Sequence, residues 1–88
     1  MSELETYRDE IDRIDQELTK LVEQRFNVAK KVVAYKKEHG LPVLDSSRED
    51  AVIKRNQERL SDSDYADDLA AFYQGLMDVS KNIQKRLL

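Results

Sequence analysis

The chain has 88 residues, enough for one small domain over 1–88, and its composition of 38% charged residues with only 2 Gly and 1 Pro suits long amphipathic helices and leaves little room for a sheet. A net charge of −3 without a basic run or an aromatic platform argues against nucleic acid, and the absence of Cys excludes disulfide and thiol chemistry. The acidic opening MSELETYRDE lacks the apolar run of a signal peptide, and no stretch approaches the roughly 20 apolar residues of a membrane span, so a cytoplasmic protein without membrane attachment is expected.

The first helix is predicted over about residues 3–38. Leu4, Tyr7, Ile11, Ile14, Leu18 and Leu21 recur in alternating steps of three and four, the signature of one helical face. The next step lands on Arg25, and the stripe resumes at Val28, Val32 and Tyr35. A guanidinium on a buried seam is costly unless something anionic meets it. That points to an anionic ligand held inside a helical bundle. His39-Gly40-Leu41-Pro42 stops the helix, because Gly supplies the C-terminal turn and Pro forbids continuation. At its standard rise per residue the helix is about 54 Å long. A compact monomer of this size is only about 30 Å across. The helix must then protrude with its apolar stripe bare, so a second copy paired along it is predicted: an obligate, intertwined all-α homodimer.

A second helix is predicted over about 46–60. Ser46-Ser47-Arg48-Glu49 matches a capping box, with Ser46 as N-cap and Glu49 reaching back, and Ala51, Val52 and Ile53 face inward. Ser61-Asp62-Ser63-Asp64 ends this helix and caps a third, over about 64–87. The third carries Leu69, Phe72, Tyr73, Leu76, Val79, Ile83 and Leu87 at helical spacing, read as core. Gly75 inside it costs about 1 kcal/mol against Ala, for which close helix packing is a candidate reason.

Beside these apolar stripes stand Arg8, Arg25, Lys36, Asp45, Arg48, Glu49, Ser80 and Gln84. Eleven residues separate Arg25 from Lys36, which returns the helix to within about 20° of the same face. Their heads can converge on one molecule. Arg8 lies about 25 Å from Arg25 along the same helix, too far for a small ligand, so it joins the same site only from a second copy. Each residue also has a plainer role open to it. Lys36 suits a solvated position near a helix C-terminus. Glu49 can simply close the capping box. Arg8 can pair with Asp12 on the surface. Ser80 and Gln84 can face water or each other. Arg25 can form a buried ion pair with an acid on another helix. The lone His39 has no companion ligands and is read as a turn residue.

Taken together, the pattern resembles the all-helical (AroQ-type) chorismate mutases over nearly the whole chain. Tyr7-Arg8-Asp9-Glu10-Ile11-Asp12-Arg13-Ile14-Asp15 looks like the family's opening run, followed by Leu21-Val22-Glu23-Gln24-Arg25 and Val32-Val33-Ala34-Tyr35-Lys36-Lys37. Pro42-Val43-Leu44-Asp45, Arg48-Glu49 and Ser80-Lys81-Asn82-Ile83-Gln84 complete it. The resemblance implies rearrangement of chorismate to prephenate on the route to phenylalanine and tyrosine. It implies that Arg25 and a second copy's Arg8 bind the two substrate carboxylates, assisted by Arg48 and Ser80. Glu49, with the backbone at Asp45, would hold the ring hydroxyl. Lys36 and Gln84 would donate to the ether oxygen whose bond breaks. The 88 residues hold no dehydratase, dehydrogenase or aldolase-like domain, so the freestanding form is expected unless the chain is a domain excised from a longer protein, and little feedback control is expected.

Such a unimolecular pericyclic shift needs no nucleophile, proton shuttle, metal or cofactor, and the resemblance implies none. It needs restraint of a folded dianion, which clustered cations supply, and donors where negative charge grows. Arg suits the carboxylates because its planar fork bonds them bidentately. Two other readings compete. Isochorismate-pyruvate lyases are similar at the arginines and lysine, but typically lack an acid corresponding to Glu49. A non-catalytic helical dimerisation module would leave Arg25 unexplained.

Overall fold

The first helix, α1 (Glu3–Glu38), has the bounds that the apolar periodicity predicts. The computed structural model describes residues 2–43 and 46–87. Ser2 caps α1: its backbone is extended and its hydroxyl accepts from the Glu5 N–H at 3.2 Å. Glu3 and Glu5 in the first turn and Lys36 and Lys37 in the last turn complement the helix dipole. At the far end Gly40 adopts φ 65°. The Leu41 N–H donates to the Lys36 carbonyl at 2.8 Å and the Gly40 N–H to the Lys37 carbonyl at 3.4 Å. This is the left-handed glycine stop, and the positive φ is why glycine stands there.

The second helix, α2 (Ser46–Glu58), ends two residues short of the expectation. The Arg59 and Leu60 N–H groups bond three residues back, to the Asn56 and Gln57 carbonyls, so the chain tightens and leaves the α-helix. Ser46, expected as the N-cap, is the first residue inside α2. Glu49 does not close a capping box. Its carboxylate is drawn across to Lys81 on the third helix. A short 3-10 turn, Ser63–Tyr65, then leads into α3 (Ala66–Arg86). Asp62 caps the turn by accepting from the Asp64 N–H at 2.9 Å, close to the predicted start. Among the described residues there is no strand, as the all-α expectation requires.

The third helix is the hub, packing on both α2 and α1. Gln57 of α2 donates from its side-chain amide to the Ala66 carbonyl at 2.9 Å, fixing the corner between α2 and α3. The buried core is small: Val33 at 1% exposure and Met77 at 6%, with Ser80 the one buried polar side chain among the described residues. Leu69, Tyr73, Leu76 and Ile83 are half-buried, whereas Phe72, Val79 and Leu87, expected in the core, are exposed, as is Ala51 of α2. A Cβ added at Gly75 would meet nothing within 4 Å, so close packing inside the chain is not the reason for that glycine.

The inward face of α1 is not the predicted stripe. Val22, Phe26, Ala29 and Val33 face the chain's own core, whereas the stripe from Leu4 to Tyr35 is bare, between 39% exposed at Val32 and 63% at Ile14. Every residue from 2 to 21 is exposed. The molecule measures 56 × 25 × 16 Å with a radius of gyration of 16.3 Å, well above the about 12 Å of a compact chain this long. Each inward residue follows a stripe position by one, so the two apolar faces lie about 100° apart. Arg25 and Lys36 stand on the border between them.

Candidate active site

Between the C-terminal half of α1, the start of α2 and the end of α3 lies an open cavity of about 310 Å³. Val28, Val32, Val52 and Met77 form its apolar wall. Its polar wall gathers six of the eight residues singled out in the sequence: Arg25, Lys36, Arg48, Glu49, Ser80 and Gln84. Asp45 lies outside the described residues. Arg8 is exposed on the bare half of α1 and does not line the cavity.

Helical spacing positions each group. Arg25 and Lys36 project from the same side of α1 three turns apart. Arg25 Nη1 donates to Ser80 Oγ at 3.2 Å. The buried acid partner considered for Arg25 is absent among the described residues, and the guanidinium is anchored by a neutral hydroxyl. Its positive charge is therefore oriented without an ion pair among the described residues. Lys36 is half-buried, not a solvated end charge, and its Nζ donates to the Val43 carbonyl at 3.2 Å. The turn beyond Gly40 thus folds back to brace the ammonium over the cavity. Ser80 faces neither water nor Gln84, being 6% exposed against Arg25. Gln84, one turn later, lines the cavity, and its side-chain amide has no hydrogen bond among the described residues. Arg8 forms no ion pair with Asp12, whose carboxylate instead accepts from Gln16 Nε2 at 3.0 Å.

Lys81, which no sequence pattern singles out, also lines the cavity. Its Nζ lies 2.9 Å from Glu49 Oε1 and 3.4 Å from Asp78 Oδ1. The hydrogen bond to Glu49 is the main influence that holds the Lys81 ammonium above its ordinary value, against the opposing effect of desolvation and with help from Asp78. Helical spacing held the clue: Lys81 follows Met77 by four residues and precedes Gln84 by three, which places it on the same face. Met77, the buried centre of that face, stands outside the regular aliphatic series of α3.

A small apolar recess rimmed by convergent cations and fixed donors, in an all-helical scaffold, has the chemistry to receive a compact organic polyanion. Comparison with known proteins gives the particular class. Residues 7–85 match the family model described as chorismate mutase type II. A chorismate mutase from Methanocaldococcus jannaschii is 28% identical over 89 aligned positions, covering 100% of this chain and 90% of the relative. The chain belongs to the type II chorismate mutase family and is an isomerase with chorismate as its substrate. Neither the lyase reading nor the non-catalytic reading is favoured by these matches.

Proposed function

We propose that the cavity folds chorismate into its reactive conformer and stabilises the charge that develops as it rearranges to prephenate, with no covalent step. The observation that carries this is Arg25: half-buried, aimed by a neutral serine, and without a carboxylate of its own. A substrate carboxylate supplies what that guanidinium lacks, and the second carboxylate meets Arg8 of a second copy, with Arg48 assisting. The ring hydroxyl bonds Glu49 and the backbone at Asp45. Lys36 and Gln84 donate to the ether oxygen. As its bond to the ring lengthens, electrons pass within the substrate to the new carbon–carbon bond, and negative charge peaks on that oxygen. Donors fixed there bind the transition state better than the ground state, each worth about 3 kcal/mol.

The site is shared within an intertwined homodimer. This reading is supported by the bare stripe on α1 and by the position of Arg25 and Lys36 on the border between the two apolar faces. Pairing along the stripe sets a second copy beside the open side of the cavity. No helix of the described residues is long and apolar enough to cross a membrane. The cytoplasm is the compartment we propose for the enzyme.

The test is purified protein with chorismate alone, followed by loss of ultraviolet absorbance and chromatography of the product. Prephenate forming without added metal or cofactor is expected. If chorismate is inert while isochorismate yields pyruvate and salicylate, the lyase reading replaces this one.

A further inference from the structure

The cavity's charged walls pose a problem. Glu49 stands among Arg25, Lys36 and Arg48, which all attract it. A carboxylate that collapsed onto any of them would neutralise the charge meant for the substrate. Glu49 does not collapse. Its ion pair among the described residues is with Lys81, at 2.9 Å, from the opposite helix α3. Lys81 is itself held from behind: Asp78 Oδ1 lies 3.4 Å from its Nζ and also accepts from Gln74 Nε2 at 3.1 Å. Of the two acids, Asp78 is 56% exposed and Glu49 only 20%, so the tie to Glu49 is the less screened by water.

From this geometry we propose that Lys81 is a positioning residue for the reaction: it holds Glu49 by one oxygen, keeps it off the substrate-binding cations and presents its second oxygen to the substrate's ring hydroxyl. The inference rests on the assignment of Glu49 to that hydroxyl. The ion pair occupies Oε1. A carboxylate has two oxygens with several lone pairs, so Oε2 accepts the hydroxyl without breaking the tie. Lys81 and Glu49 cancel in charge, and Arg25 and Lys36 keep the wall positive towards the dianion. The tie also joins α2 to α3 at the cavity wall.

The experiment is a double-mutant cycle in the whole protein, reading kcat and KM on chorismate with the fold followed by circular dichroism. Lys81→Met is expected to lower kcat/KM about tenfold, the worth of one charge-assisted hydrogen bond. Most of the loss should fall in KM, because the hydroxyl is held in ground and transition states alike. In a Glu49→Gln background the same change should do little more, since its target is gone. Lys81→Arg, which can still reach the carboxylate, should retain most activity. Additive losses in the cycle would overturn the proposal and leave Lys81 a structural residue. If Lys81→Met does not fold, Lys81→Gln replaces it, and failure of both overturns it likewise. Wild-type kinetics of Glu49→Gln would instead remove the assigned role of Glu49, and the proposal with it.

Discussion

Replacing Arg25 by Leu separates what this residue does for the fold from what it does for the substrate. Its hydrogen-bond partner is the hydroxyl of Ser80, which is 6% exposed. Without the guanidinium that hydroxyl is left unmatched, a loss of about 1–3 kcal/mol. A helical serine can turn its hydroxyl to a carbonyl one turn back, which sets the loss at the low end, about 1 kcal/mol. In a domain of this size that lowers Tm by about 4–8 °C. Adding Ser80→Ala removes the orphan, and replacing both partners is nearly neutral, so the double variant should recover most of the lost Tm. Catalysis should not recover. Removing one side of a desolvated charge pair costs about 3 kcal/mol or more, roughly 150-fold in kcat/KM, in both variants. Thermal melts at matched protein concentration and the chorismate assay read the two effects independently. The reasoning fails if the double variant stays as unstable as Arg25→Leu, or if either keeps its activity.

Gln84→Glu should lose about 10²–10³-fold in kcat near neutrality and regain activity as pH falls, because only the protonated acid can donate to the ether oxygen; a flat pH profile refutes the donor role. Mixing inactive Arg8→Ala and Arg25→Ala proteins, with subunit exchange verified, should restore one competent site per mixed dimer, and no recovery would place Arg8 outside the site. The ammonium of Lys81 is held above its ordinary value of 10.5, so its stabilising tie is fully present below that value and is lost as pH rises through the elevated one. The Tm difference between wild type and Lys81→Met should therefore persist from neutrality to moderately alkaline pH and vanish in strong alkali, whereas a difference unchanged across that range would assign it to packing.

The helix count and the bounds of α1 were legible because a long uninterrupted period and a Gly-Pro stop are local signals. The stripe was legible too, but its partner was not. Periodicity reports that a face is apolar, not which surface covers it, and the face that covers the chain's own core is the adjacent one, built on Phe26, Ala29 and Val33. Arg25 stood out because it broke the pattern. Lys81 did not stand out, because it falls outside the apolar series of α3 and interrupts none of it, and its meaning depends on an acid thirty-two residues earlier in the chain (81 − 49) that only folding brings near. Phe72 and Val79 misled for the opposite reason: their spacing suits a core face that the chain leaves open.

The stop at Gly40 does more than end α1. The backbone carbonyl of Lys36 receives the Leu41 N–H, and the side chain of the same lysine reaches the Val43 carbonyl. The reversal and the cation are one mechanical part, gripped at both ends by the same few residues. A Cβ at Gly40 meets no neighbour, so its penalty is the left-handed backbone alone, about 1–2 kcal/mol. A turn forced open there would release Lys36 from its brace while leaving the core around Val33 and Met77 untouched. A fault in punctuation would then register as a fault in catalysis, in a molecule that is still well folded.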